Sequence, residues 1–268
     1  MKKLMLAAVA AFSCAELRAD ASVSGYGAVE VSSAYVLYGG RQNKEPCWWT
    51  YGELNFNADA WGSLGASLWQ NTDTTCRRKA SMRRMNEWDW AVYWRNGIDL
   101  AEGWRLSGEI GHIWYKYHGL RGAGKDVYKT MMEVYGRLEL ANPCLTPYVA
   151  VFHDWKVTDG TFALAGLKRD IALPHGLTFT PDITVGGGDR RYLDNLYPPW
   201  GFGGVKGGVS YAQLSGKLSY WFNDHFGVHA LLACSVIVDG KIRAGIDADG
   251  SDYRKQFVWG TVGVDVAF

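Results

Sequence analysis

Residues 87–94, Glu-Trp-Asp-Trp-Ala-Val-Tyr-Trp, constrain the fold of this 268-residue chain more than any other stretch. Side chains along an extended strand point alternately to opposite faces. Trp88, Trp90, Val92 and Trp94 therefore share one face, and Glu87, Asp89, Ala91 and Tyr93 the other. A helical period does not sort these residues; a period of two does. A strand with three tryptophans on one side needs an apolar medium beside it. That medium is either the core of a soluble sandwich or lipid.

The alternation recurs along the chain. Trp48, Gly52, Leu54 and Phe56 oppose Tyr51, Glu53 and Asn55; Met132, Val134, Gly136, Leu138 and Leu140 oppose Glu133, Tyr135, Arg137 and Glu139. Twelve strands are expected, over 23–38, 48–58, 63–70, 87–96, 103–118, 127–140, 146–155, 161–172, 177–186, 205–222, 226–238 and 254–268, with ten or fourteen as alternatives. The connections after every even-numbered strand are short, such as NPCLT and NDHFG, whereas most of the others are longer and more polar. A sandwich has no reason to sort its loops this way. A transmembrane barrel does, with short periplasmic turns and long external loops. The expected fold is thus all-β: a closed antiparallel transmembrane β-barrel of about twelve strands.

Composition agrees, with 14% aromatic residues, thirteen tryptophans and thirty-three glycines. Trp48, Trp69, Trp88, Trp104, Trp114, Trp155 and Trp221 fall near strand ends, where the two headgroup girdles of a barrel lie. No apolar run approaches the length of a membrane-spanning helix. The polar faces predict a lumen lined by Glu53, Glu133, Arg137, Glu139, Asp182 and Lys217. Arg137, mid-strand, needs an acid on its own or an adjacent strand, such as Glu133 or Glu109.

Both ends of the sequence point to export. MKKLMLAAVAAFSCAELRADA combines Lys2 and Lys3, a short apolar run and small residues. It reads as a signal peptide over 1–21 followed by a barrel over 22–268, with cleavage after Ala21 or after Ala19. Its removal takes three cations and two anions from totals of 28 and 27, leaving 25 of each. A neutral protein gives no case for a nucleic-acid partner. At the other end Val262, Val264, Val266 and Phe268 lie on one face up to the last residue. This resembles the C-terminal signature of bacterial outer-membrane β-barrels. The resemblance implies recognition by the barrel-assembly machinery and a home among outer-membrane lipid and lipopolysaccharide. SSAYVLYGG, with Ser33, Tyr35 and Gly39, further resembles the opening of the TorF-like porins, although Tyr38 stands where that family carries Arg.

Cys47 and Cys76 fall in the first two long loops, and in an exported protein they are expected to form a disulfide. Cys144 falls in a turn and Cys234 on an apolar strand face. Arg77, Arg78, Lys79, Arg83 and Arg84 in the second loop, with Arg190 and Arg191 in the fifth, form an expected external basic patch for anionic solutes or lipopolysaccharide phosphates. Neither a metal nor a cofactor is expected: Asp247, Asp249 and Asp252 lack the calcium-loop spacing, and there is no Cys-x-x-Cys or phosphate loop. The leading functional expectation is a porin-like channel for small polar or anionic solutes. The alternatives are a lipid-modifying enzyme, for which His153, His229 and Ser235 are the candidate residues, and a structural or adhesive barrel with a plugged lumen.

Overall fold

The computed structural model describes residues 21–58, 61–74, 82–122, 125–126, 130–196, 205–249 and 254–268. The segment expected to be a signal peptide is outside them, save Ala21. Among the described residues, twelve strands build the wall. They are β1 (Ser22–Ser32), β2 (Cys47–Asn57), β3 (Ser63–Asp73), β4 (Met82–Ala101), β5 (Trp104–Gly122) and β6 (Met131–Ala141). Then follow β7 (Thr146–Asp154), β8 (Gly160–Lys168), β9 (Leu177–Asp189), β10 (Gly207–Trp221), β11 (Phe226–Ile237) and β12 (Gln256–Ala267). Each is antiparallel to its sequence neighbours, and β12 returns to β1 with Tyr26 opposite Ala267 and Ser32 opposite Thr261. The barrel is closed, so no strand edge is left unsatisfied.

Closure is completed by the last residue. Gly25 and Phe268 exchange backbone hydrogen bonds of 2.9 and 3.1 Å. The Phe268 ring lies over Gly25 so closely that a Cβ there would stand 2.3 Å from Cζ. Only glycine allows that approach.

The faces divide as the alternation requires. Phe56, Trp90, Trp94, Ile110, Leu138, Ile183, Leu214, Val258 and Val262 are large, apolar and exposed on the outside. In water a patch of this extent would be a liability; against hydrocarbon it is the stabilising surface. Trp48, Trp104, Trp155 and Trp221 are exposed toward strand ends. Trp69 departs from the expected girdle, since it turns inward with its ring 6.0 Å from that of Trp49.

The ends of the barrel differ. One end, where β1 starts and β12 finishes, carries short turns. The other carries the long loops, and its core lies inside the wall. The first expected strand, 23–38, stops at Ser32, whose hydroxyl donates to the Ala34 carbonyl at 2.7 Å and turns the chain. Tyr35–Leu37 then pairs with Gly40–Asn43 as a hairpin separate from the wall. Two helices also lie in loops, α1 (Arg190–Leu196) and α2 (Gly240–Asp249). Tyr192, Leu193, Ile242 and Ile246 from these helices bury against Phe162, Tyr211 and Ile237 of the wall, with Tyr38 of the hairpin beside them. β4 and β5 run for 20 and 19 residues, beyond the expected 87–96 and 103–118.

Candidate functional site

The lumen divides into a plug at the loop end, a cavity beneath it and a charged wall opposite the cavity. The plug is centred on Tyr38. Its backbone has φ 45, a costly conformation for a residue with a side chain. Its ring lies 4.4 Å from Phe162 and 5.8 Å from Phe152. Burial holds the Tyr38 phenol well above its usual pKa, so the tip of the plug is uncharged.

Beside it, Tyr35 donates to Glu87. Glu133 is fully buried and accepts from Tyr115 at 2.8 Å and Tyr192 at 2.7 Å. Asp154, also buried, accepts from the backbone N–H groups of Lys156, Val157 and Thr158. Buried acids persist only with such donors. The Tyr35 and Tyr192 bonds tie the hairpin and α1 to the wall.

The charged wall runs over β5 to β9. Arg137 donates to Glu139 at 2.9 Å, and Lys168 reaches the same carboxylate at 3.0 Å. The Arg137 guanidinium sits 4.9 Å from the centroid of the Tyr148 ring, whose hydroxyl donates to Asp182 at 2.9 Å. The partners suggested from sequence are engaged elsewhere. Glu109 holds Arg95 at 2.7 Å, and Glu133 belongs to the plug. Glu53, on β2, accepts from Tyr51, from Tyr93 at 3.1 Å and from Asn55 at 3.2 Å. All of these positions lie on the inward register.

Beneath the plug, on the side formed by β10 to β12 and β1 to β3, lies a cavity of about 300 Å³. Its aromatic floor runs from Trp69 through Trp49 to Trp259, with centroid separations of 6.0 and 5.8 Å. The indoles of Trp49 and Trp259 are held by Asn71 and Ser235. Lys217, Glu30, His229 and Thr261 face the same space. His229 bridges two acids, with Nδ1 2.8 Å from Asp265 and Nε2 3.3 Å from Glu30. Glu30 and His229 sit on strands separated by β12, opposite the two sides of Gly263. A Cβ at Gly263 would stand 2.6 Å from the imidazole and 2.8 Å from Glu30 Cγ, so the contact exists because that residue has no side chain. Of this group only Lys217 was named from sequence as lumen-lining. Parity would have placed Glu30 and His229 inward too, but not told that they meet.

The other candidates fall as follows. Arg190 pairs with Asp194 at 3.3 Å and Arg191 with Asp159, so both cations of α1 are already engaged. Cys76, Arg77, Arg78 and Lys79 lie outside the described residues, as do the side chains of Arg83 and Arg84. Cys47 is a buried free thiol beside Tyr35 and Trp49. Val262, Val264, Val266 and Phe268 are exposed on the outer wall. Ser235 and His229 are buried on the inward face, with Ser235 donating to Gln213, while His153 faces outward beside Thr161 at 3.2 Å. Those three residues do not converge on one reacting point, as nucleophilic catalysis requires. Among the described residues no cluster of His, Cys, Asp and Glu could hold a metal.

No protein-family model matches the sequence, and no curated protein matches it. Solved structures do match. The COG4313 outer-membrane channel from Pseudomonas putida F1 aligns with a TM-score of 0.56 at 7% identity, covering 95% of this chain and 98% of that one. The KdgM porin in complex with disordered oligogalacturonate aligns with a TM-score of 0.51 at 12% identity, over 91% and 99%. The chain has the fold of bacterial outer-membrane barrels. The outer-membrane phospholipase of Salmonella typhi aligns at 0.49 with 15% identity, over 91% and 90%.

Proposed function

We propose that this protein is a narrow porin-like channel of the bacterial outer membrane, through which small polar solutes diffuse passively. The observation that carries the reading is the inner wall. From Glu53 through Arg137, Glu139 and Asp182 to Lys217, charged groups line it below the plug, the polar lining that a water-filled lumen requires. Both outer-membrane barrels that share its fold above are a channel and a porin.

The solute class is narrowed by charge. Glu30, Glu53, Glu109, Glu139, Asp182 and Asp265 face the lumen below the plug, against Arg95, Arg137, Lys168 and Lys217 among the described residues. An acid excess disfavours polyanions and suits cationic, zwitterionic or neutral solutes. A plugged structural barrel is the second reading, favoured by the hairpin tip buried at Phe162. Planar-bilayer recording of the purified protein separates the two. Discrete small conductance steps are expected of the channel. Correctly folded protein that gives no steps establishes the plugged barrel instead.

A further inference from the structure

The cavity beneath the plug holds two charges of opposite sign beside a wall of indoles. Lys217 makes no hydrogen bond or ion pair among the described residues, although its ammonium faces a partly enclosed space. One oxygen of Glu30 meets His229, and its other oxygen has no partner among the described residues. The indole N–H of Trp69 and the hydroxyl of Thr261 are likewise without a hydrogen-bonded partner among them. The ring faces of Trp49, Trp69 and Trp259 complete the lining. A volume of about 300 Å³ is at the lower end of ordinary ligand pockets, enough for one ring-bearing solute.

We propose that this cavity is a binding site for a small zwitterion with an apolar body, of the class of the aromatic α-amino acids. The proposal rests on the channel reading, which supplies the route to the site. The carboxylate would take the Lys217 ammonium, the ammonium would take Glu30 and the ring would lie on the indoles.

Charge arithmetic selects this class over its rivals. A neutral sugar leaves Lys217 without a counter-charge in a confined space, which is costly. A simple anion satisfies Lys217 but brings a third negative charge beside Glu30 and Asp265. A simple cation satisfies Glu30 and is repelled by Lys217. Only a ligand carrying both charges answers both groups, and charge-assisted hydrogen bonds are the strong ones. A cation against indole faces gains further attraction.

The test is saturation-transfer NMR on the detergent-solubilised barrel, with phenylalanine as probe. Phenylalanine amide, 3-phenylpropionate and glucose serve as comparisons on the same wild-type protein. Phenylalanine is expected to bind saturably, with each single-charge analogue weaker by about tenfold, as loss of one charged hydrogen bond predicts. Lys217→Met should weaken phenylalanine by a similar factor and improve phenylalanine amide relative to it. Equal binding of either analogue, preferred binding of glucose, absence of phenylalanine binding, or an unchanged affinity in Lys217→Met would each overturn the site. Conductance is scored separately. A barrel that conducts but does not bind phenylalanine refutes only the site, and one that binds without conducting refutes only the channel.

Discussion

Arg137 donates to Glu139, two residues further along its own strand, at 2.9 Å. Side chains two apart in a strand share a face, so this pair needs no partner strand to form. Lys168 approaches the same carboxylate from β8 at 3.0 Å, giving the group a net charge of +1. Arg137→Glu turns that into −1 on one side of a narrow lumen. Reversal potentials across a salt gradient should move toward cation preference, because nearby fixed charge dominates the field in a constricted pore. The partners are partly exposed, so stability should fall only by about 1 kcal/mol. An unshifted reversal potential in a conducting, folded mutant would remove Arg137 from the permeation path.

The contact between Gly25 and Phe268 makes a second test. Phe268 closes the barrel by reciprocal backbone bonds to Gly25, and its ring fills the space where a Cβ would sit. Gly25→Val should therefore unseat the ring while leaving the outer wall apolar. The folded form on an unheated gel should give way to the unfolded one at a lower temperature than in wild type. Gly27→Ala, whose Cβ would meet nothing closer than 3.5 Å, is the matched control and should melt like wild type. Equal melting of Gly25→Val and the control would mean that the ring adds nothing to closure.

The wall was legible in the sequence and the plug was not, for a physical reason. Period-two alternation is local, so Trp88, Trp90, Val92 and Trp94 announce their strand without reference to any neighbour. The same alternation misleads at Tyr35 and Leu37, which continue the pattern of β1 while the chain has already turned inward at Ser32. Trp69 reads as a girdle residue by position, but its parity puts it inside. α1 and α2 are short, and their apolar residues are buried by Phe162, Tyr211 and Ile237, of which only Ile237 is near either helix in the chain. The meeting of His229 with Glu30 depends on the registers of three strands and on the missing side chain of Gly263, which no single segment reveals.

Cysteine accessibility tests the direction of insertion. Cys144 is exposed in the turn between β6 and β7, at the end carrying the short turns, while Cys47 is buried beside the hairpin. If the short turns face the periplasm, a bulky membrane-impermeant maleimide should leave Cys144 unmodified in intact cells and label it once the outer membrane is permeabilised. Cys47 should stay unlabelled in the folded protein throughout. Labelling of Cys144 in intact cells would invert the orientation.

Tyr38 buries its ring among aromatic side chains of the wall and of α1. Its positive φ is a strained state that persists only because the surroundings over-determine it, and here they are the rings of Phe152, Phe162 and Tyr192. Replacing it with glycine removes the ring and relieves the backbone strain together. The hairpin should keep its turn, since glycine adopts a positive φ without a steric penalty. If the ring is the constriction, Tyr38→Gly should raise single-channel conductance several-fold with little change in thermal stability, because the lost packing and the relieved strain oppose each other. Tyr38→Phe keeps the ring and should conduct like wild type. A conductance in Tyr38→Gly equal to that of Tyr38→Phe would move the narrowest point elsewhere, to the tyrosine and acid layer of Glu133, Tyr115 and Tyr192.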